Sequence, residues 1–545
     1  MKTIKQIIYG LAVTVVGCTG LTSCDSFLEE YSQDLAKVNS WEDLDEVLLG
    51  SAYIKTGRFY IANSTQYSDR DCHFDILHFM SDEIVMTDDK YEMSDYYESM
   101  FPFLTWQQDT GVDKQFRYVG GDEDYFNEPY SRINVCNMVI SLIDSQPAAT
   151  ETDEMQKRRV KGEAYFLRGL YYFFLANLYC EPYNPSTASS TPGLPLKFSE
   201  VIEDKEFDRA TLAETYAKVL EDLAFAEEYL EGTVRKSVYR ADQNTVRLLQ
   251  SRVYLYMQDW PNAIAKAREV LEKQSSLMNA GAKSVGDSWL DASSPELLFS
   301  MGDYLIAFYF RDARYNIPAL NVSDDMISLF SDDDLRKPRF IGYSEYRNRP
   351  NVFRKVNGQA SAVGSYTSVG SVFTFRTPEA YLTLAEASAY NGDEATARTT
   401  MEKLLATRMS GKVAVTESGH ELIDLIREER AREFLIEGHR WFDLRRYTVC
   451  NPYPWSKEII HGYVYIDNYD YSHTDWYRLE KNDKAYTLPI PRTILNFQVS
   501  LGSASRPSRQ AFTSTNVHSP NYGKWEDESG DGGDDDDDWD DDDWW

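Results

Sequence analysis

One recurring spacing constrains this chain more than any other feature. Ser251, Tyr254 and Ala263 place a small residue, an aromatic three positions on and an alanine twelve positions on, across a turn at Gln258-Asp259-Trp260. Ala385, Ser388 and Ala397 repeat that frame across Asn391-Gly392-Asp393, and Gly169 with Tyr172 repeats its first half. Small residues at such points let two antiparallel helices approach closely, the logic of a stacked helix-pair repeat. Apolar residues at helical spacing extend the pattern. They predict helices over Trp41–Gly50 with Ser40 as N-cap, Asn127–Ile143, Met155–Tyr179, Leu212–Leu230, Gln243–Lys273, Pro378–Arg408 and His420–Tyr447. In the third of these, Ala164, Leu167, Leu170, Tyr171, Phe174 and Leu178 share one side, and Glu181-Pro182 ends the run.

Between the helices lie long stretches of another character. Asp82–Gly121 is aromatic and acidic, and Gln274–Ser371 is rich in Gly, Ser and Asp with strand-like pieces such as Leu297–Ser300. Asn451–Trp476 is rich in Tyr and Asp and is read with the loops. Loops of this length in a folded protein are functional or disordered. The expected fold is therefore mostly α, with tetratricopeptide-like helix pairs carrying long inserted loops.

The N-terminus supplies a location. Lys2 and Lys5 precede an apolar run, Ile7–Val16, of signal-peptide size and too short to span a bilayer. Leu21-Thr22-Ser23-Cys24 follows, an aliphatic-x-small-Cys sequence like a bacterial lipoprotein cleavage site. Val15-Val16-Gly17-Cys18 also fits; Cys24 is preferred because Asp25, Glu29 and Glu30 open a globular-looking chain. Lipid on Cys24 would anchor an otherwise soluble protein. The expected organisation is a signal peptide at 1–23, a body at 24–525 (parts 24–275 and 276–525) and a disordered acidic tail at 526–545. That tail holds thirteen acids, three Trp and no base. With 88 acidic against 56 basic residues and a formal charge of −32, nucleic acid and anionic lipid are poor partners. Cys72, Cys136, Cys180 and Cys450 are scattered with no CxxC, which indicates neither a zinc site nor a dense disulfide framework.

Three blocks then bring in a family. Arg376-Thr377-Pro378-Glu379-Ala380-Tyr381-Leu382-Thr383-Leu384-Ala385-Glu386-Ala387, Ile426-Arg427-Glu428-Glu429-Arg430-Ala431-Arg432-Glu433-Phe434 and Glu437-Gly438-His439-Arg440-Trp441-Phe442-Asp443-Leu444-Arg445-Arg446 closely resemble the SusD/RagB family. Leu488-Pro489-Ile490-Pro491 resembles its late signature, and Cys24-Asp25-Ser26-Phe27-Leu28 its mature start. After Pro491 the chain departs from the family's short ending with a Ser/Thr stretch and the Asp/Trp tail. The resemblance implies an outer-membrane lipoprotein of the SusD-like fold. It would sit on a SusC-like TonB-dependent transporter at the cell surface and capture glycans or other nutrients on its inserted loops, with no cofactor.

Physically, the signature blocks read as a charged helix-packing seam. Glu428 and Arg432 stand four apart with the acid first, Arg430, Glu433 and Glu437 extend the pairing, and Trp441, Phe442 and Leu444 supply an apolar side. Glu437 and His439 have no nucleophile or orienting partner that would make them catalytic. His420-Glu421 lacks the second His of a zinc protease, and Gly120–Asp124 lacks the calcium-loop frame, so no metal is expected. Saccharides need an aromatic face flanked by Asp, Asn, Gln and Arg. The candidates are Trp106, Gln108 and Asp109 in one stretch, and Trp289, Asp303, Tyr304, Tyr309 and Arg311 in another. A glycan-binding lipoprotein is the leading reading; a surface glycosidase and a protein-binding helical scaffold are the alternatives. Changing Cys24 to Ala should release the protein from membranes or leave its precursor unprocessed. Mass spectrometry showing acyl chains on Cys18 would contradict the assignment.

Overall fold

The computed structural model describes residues 38–55, 74–86, 99–201, 203, 205–302, 306, 310, 320–344, 349–353, 355, 368–467 and 470–516. The expected signal peptide with Cys24, then Cys72, Asp303, Tyr304, Tyr309, Arg311 and the acidic stretch 526–545 lie outside them. The principal helices are α1 (Trp41–Val47), α2 (Asp124–Leu142), α3 (Glu151–Tyr179), α4 (Leu212–Leu230), α5 (Gln243–Tyr256), α6 (Trp260–Lys273), α7 (Thr377–Tyr390), α8 (Glu394–Leu405), α9 (Gly419–Glu433) and α10 (Arg440–Tyr447). From α3 to α8 each helix packs on the one before it in this series, so the helical hairpins stack into an array. The expected mostly α, tetratricopeptide-like architecture is what the chain adopts.

Local chemistry sets the helix starts. Ser40 with Asp43, Thr150 with Asp153 and Thr211 with Glu214 form capping boxes that satisfy otherwise orphaned N–H groups. The two turns found by spacing are equivalent in structure. Gln258 (φ 62°) and Gly392 (φ 83°) both take the left-handed conformation. Each is followed by an Asp that caps the next helix, Asp259 to the Asn262 N–H at 3.3 Å and Asp393 to the Thr396 N–H at 3.1 Å. Ser251, Ala263, Ala385 and Ala397 are fully buried at the crossings. Glycines serve α3 against α4: a Cβ on Gly162 would stand 2.7 Å from Leu230 Cγ, and one on Gly169 3.3 Å from Leu223.

Besides a short antiparallel pair, Ile341–Ser344 with Arg349–Phe353, the strands are β1 (Ile84–Met86), β2 (Leu297–Met301), β3 (Leu320–Val322), β4 (Phe373–Arg376), β5 (Ile459–Asp467), β6 (Asp470–Leu479) and β7 (Thr513–Thr515). Antiparallel pairs join β1 to β3 and β2 to β4, and β5-β6-β7 form a small sheet. Two expectations need correction. The segment 451–476, read with the loops, contributes a long hairpin strand and most of its partner. Tyr463, Tyr465 and Tyr477 share one face of the ribbon while the other carries Ile460, Val464 and Trp476, so no polar–apolar alternation marks it. The run 420–447 is two helices rather than one. It breaks where Ile436 (φ 55°) and Gly438 (φ 75°) turn left-handed, and Gly438 Cα lies so close to Val372 that a Cβ would meet it at 3.1 Å.

The charged seam is also placed differently from the sequence reading. Glu428 and Arg432 make only a surface contact of 3.6 Å, whereas Glu433 is fully buried among guanidinium groups from elsewhere in the chain. It accepts from Arg336 Nη1 (2.8 Å), Arg376 Nη1 (2.8 Å) and Arg408 Nε (2.9 Å). Arg376 also reaches Glu437 (2.7 Å) and Glu296 (3.1 Å), Arg336 reaches Glu429 (2.6 Å) and Asp334 (2.7 Å), and Lys355 Nζ pairs with Glu437. A second cluster fastens the N-terminal segment to α3: Asp45 and Glu163 share Arg159 and Arg240, and Tyr53 donates to Glu163 at 2.8 Å.

Removing one member of a buried ion cluster strands the others' charge, at a cost of about 3–5 kcal/mol. Glu433→Ala should lose about that much in urea unfolding, and a loss below about 1 kcal/mol would contradict the role given to Glu433. The same groups set the acid response. Burial alone would raise the Asp45 carboxyl, but Arg159 and Arg240 bring it down to about 2, and three guanidiniums hold Glu433 well below its ordinary value. Their stabilisation is present above the unfolded carboxylate values near 4 and is lost as pH falls from there towards 2. Burial lowers His461 to about 4, so its stabilisation is complete above roughly 6.5 and fades between 6.5 and 4. Thermal unfolding should shift down modestly from pH 7 to 5 and steeply below 4; a flat profile would contradict these assignments.

Candidate functional site

The loop 105–123 leaves the short helical turn Phe101–Leu104 and lies against the β5–β6 ribbon. Two aromatic residues in it take left-handed backbone conformations, Trp106 (φ 50°) and Phe116 (φ 62°), which bulky residues rarely do. Trp106 is fully buried. Its ring stacks on His461 at 4.5 Å, and its Nε1 donates to the Met80 carbonyl at 2.9 Å. It therefore offers no face to a ligand, which corrects the expectation of an exposed platform. Trp289 is corrected in the same way: it is 1% exposed, edge-on to Phe340 at 5.3 Å, with the Arg408 guanidinium 5.2 Å from its ring. Both residues read as platforms because a loop aromatic beside polar neighbours looks alike in sequence whether it faces out or in.

The other two candidates of this stretch, Gln108 and Asp109, reach the surface. Gln108 is exposed, and Asp109 is half-buried with its side chain held in place. Asp109 Oδ1 accepts from the Gly111 N–H at 3.0 Å, and Oδ2 pairs with Arg492 Nη2. The Arg492 guanidinium lies 4.4 Å from the centre of the Tyr118 ring, a cation–π contact. Sequence reasoning missed both partners. The signal for Arg492 was its place immediately after the Leu488–Pro491 block. Beyond this corner the loop closes on itself. Val112 bridges Tyr118, and Asp113 accepts from the Gln115 and Arg117 N–H groups at 2.9 Å each and from Arg117 Nε at 2.8 Å. Phe116, 43% exposed, stands edge-on to Phe101 at 5.6 Å, and Phe101 in turn meets Tyr463 at 4.9 Å. Gly111 is required by close approach, since a Cβ there would lie 2.6 Å from Tyr118 Cε2 and 2.7 Å from Asp122 Oδ1.

The loop thus presents Gln108, the Asp109–Arg492 pair, Tyr118 and Phe116 on a fixed backbone. Such a set can exchange hydrogen bonds with hydroxyl groups and cover C–H faces. It holds no nucleophile with an adjacent base. Glu437 and His439 are occupied elsewhere. Glu437 belongs to the buried ion cluster, and burial together with Arg252 and Arg430 keeps His439 neutral, stacked on Phe434 at 4.3 Å. Among the described residues no three His, Cys, Asp or Glu side chains converge as a metal site. Cys136, Cys180 and Cys450 are buried free thiols, pushed by burial up to about 12, 11 and 11. No described helix is long and apolar enough to cross a membrane.

One titration in the loop is informative. Burial, with Asp109 and Glu123 nearby, raises Asp122 to about 6, while Thr110 Oγ1 donates to its Oδ2 at 2.7 Å. Its folded value lies above its unfolded one, so its contribution to stability is present below about 4 and lost as pH rises through 6. Asp122→Asn should therefore raise the melting temperature relative to wild type at pH 7.5, with the advantage shrinking towards pH 4. An equal or reversed difference would contradict the buried carboxyl.

Residues 27–255 match a family described as "Starch-binding associating with outer membrane", and residues 331–501 match the SusD family. The SusD-like protein P2 of Formosa agariphila is 22% identical over 377 residues, 60% of this chain and 72% of that protein. A SusD superfamily protein of Bacteroides thetaiotaomicron superposes with a TM-score of 0.64 at 20% identity, covering 86% of this chain and 100% of the other. A laminarin-binding SusD-like protein does so with a TM-score of 0.58 at 16% identity, over 86% and 99%.

Proposed function

The chain belongs to the SusD/RagB family, and from that premise we propose that it is a cell-surface glycan-binding lipoprotein. In this reading Cys24 carries the lipid anchor in the outer membrane. The protein captures oligosaccharide and hands it to a SusC-like TonB-dependent transporter, as a binding protein and not as an enzyme. The observation that carries the ligand class is the outward corner of the 105–123 loop. There a carboxylate and a guanidinium, fixed by each other and by a backbone N–H, stand beside Tyr118 with Gln108 free. Vicinal sugar hydroxyls match paired donors and acceptors of this kind, and Tyr118 and Phe116 supply apolar edges. The family description, "Starch-binding associating with outer membrane", supports the same class and location. Asp303, Tyr304, Tyr309 and Arg311 are proposed as further contacts from the Trp289–Tyr315 stretch.

A stacking contact on one ring is worth on the order of 1 kcal/mol, so affinity for a single oligosaccharide should be micromolar or weaker. The test is retardation and calorimetry of the purified protein with starch and laminarin, for wild type and an Asp109→Ala/Arg492→Ala variant. Removing both partners together avoids leaving either charge unpaired. The variant should keep its far-UV spectrum, bind at least about fivefold more weakly, and leave the polysaccharide uncleaved, as wild type does. Unchanged binding by the variant would remove this corner from the site, and release of sugars by wild type would favour the glycosidase reading.

A further inference from the structure

Residue Trp106 enters the loop with φ 50°, and a bulky side chain does not hold that conformation unless its surroundings over-determine it. Part of the constraint is the Trp106 side chain itself, wedged between His461 and the Met80 carbonyl. The rest acts on the backbone and comes from the far end of the chain. Arg506 Nη1 donates to the Gln107 carbonyl at 2.7 Å, and its Nη2 to the Ala485 carbonyl at 2.9 Å. Arg509 Nε reaches the Trp106 carbonyl at 3.4 Å, and its Nη2 pairs with Asp483 at 2.7 Å. Two guanidiniums thus grip successive carbonyls immediately before Gln108.

The Arg506 side chain makes this arrangement unusual. It is 2% exposed, its Nε has no partner, and among the described residues no carboxylate lies within ion-pair distance of it. A buried cation satisfied only by carbonyls is an expensive way to gain stability, and an apolar side chain of similar volume often serves that end as well. What an apolar residue or a Lys cannot do is hold two carbonyls at once in the fixed geometry of a planar fork. We propose that Arg506 and Arg509 are positioning residues that fix the backbone of the Gln108–Asp109 corner. Their value for binding rests on the reading that this corner contacts saccharide, but their effect on the loop does not.

Hydrogen–deuterium exchange of the full chain tests the two separately. In Arg506→Met and Arg506→Lys, amides of 105–120 should exchange at least about tenfold faster than in wild type, with those of 160–179 in α3 unchanged. The Lys variant keeps the charge, so its failure to restore protection would assign the effect to the two-carbonyl grip. If the Met variant does not fold, Arg506→Lys and Arg509→Lys carry the comparison. Unaltered exchange over 105–120, or an equal rise in α3, would overturn the proposal and leave Arg506 a general structural contact. Affinity for starch and laminarin should fall in step with the loss of protection. Selective loosening with affinity unchanged would uphold the positioning role and refute the saccharide reading of the corner.

Discussion

Glu433 is the residue on which the rest of the structure depends. Its carboxylate is fully buried and is met by Arg336, Arg376 and Arg408. Each cation comes from a different region: Arg336 precedes a short helical turn, Arg376 ends β4, and Arg408 follows α8. Glu296, Glu429, Glu437, Asp334 and Lys355 complete the cluster, so segments remote in sequence share one set of charges. Such a cluster is a poor source of net stability, because desolvation offsets most of the attraction. What it supplies here is a single arrangement, since any other leaves a buried charge without its partner. It also explains the composition of the signature blocks, which carry charge where a helix-packing core would ordinarily be apolar.

A chain of direct contacts runs from this cluster to the 105–123 loop. Between Glu433 and Glu437 the backbone turns left-handed at Ile436, and the Ile436 N–H donates to Glu83 Oε1 at 2.7 Å. Glu83 also accepts from Ser81 at 3.1 Å, and the adjacent Asp82 is bound by Arg440 at 2.7 Å and Lys457 at 2.8 Å. This fixes the segment that presents the Met80 carbonyl to Trp106 Nε1. The loop is therefore held from the core side by Trp106 and from the C-terminal side by Arg506 and Arg509. The result suits a receptor whose ligand offers only weak individual contacts, because a preorganised corner loses little freedom on binding.

Much of this was legible in the sequence, for physical reasons that differ from element to element. The helix pairs were visible because close helix crossings need small residues at fixed spacing, and Ser251, Ala263, Ala385 and Ala397 stand at those crossings. The break at Gly438 was visible only as a glycine, since the need for it comes from Val372, which is far away in sequence. The β5–β6 ribbon was hidden because both of its faces carry large apolar side chains, Tyr463, Tyr465 and Tyr477 on one and Ile460, Val464 and Trp476 on the other. In the candidate site, Gln108 and Asp109 were found from composition, but burial of Trp106 and Trp289 depends on what packs over them. Arg492, Arg506 and Arg509 come from a stretch with no periodicity at all. The partners of Glu433 were unreadable for the same reason: charge pairing across the fold leaves no trace in local spacing.

In the proposed reading a glycan is held at the outward corner of a loop fixed to the core from both sides. Hydrogen–deuterium exchange of wild type with and without saturating starch or laminarin tests it most directly. Bound polysaccharide should slow exchange over 107–119 and around Arg492, while α3 and the helices beside Glu433 remain as they were. Binding that leaves 107–119 unprotected, with the slowed amides elsewhere on the surface, would contradict the claim.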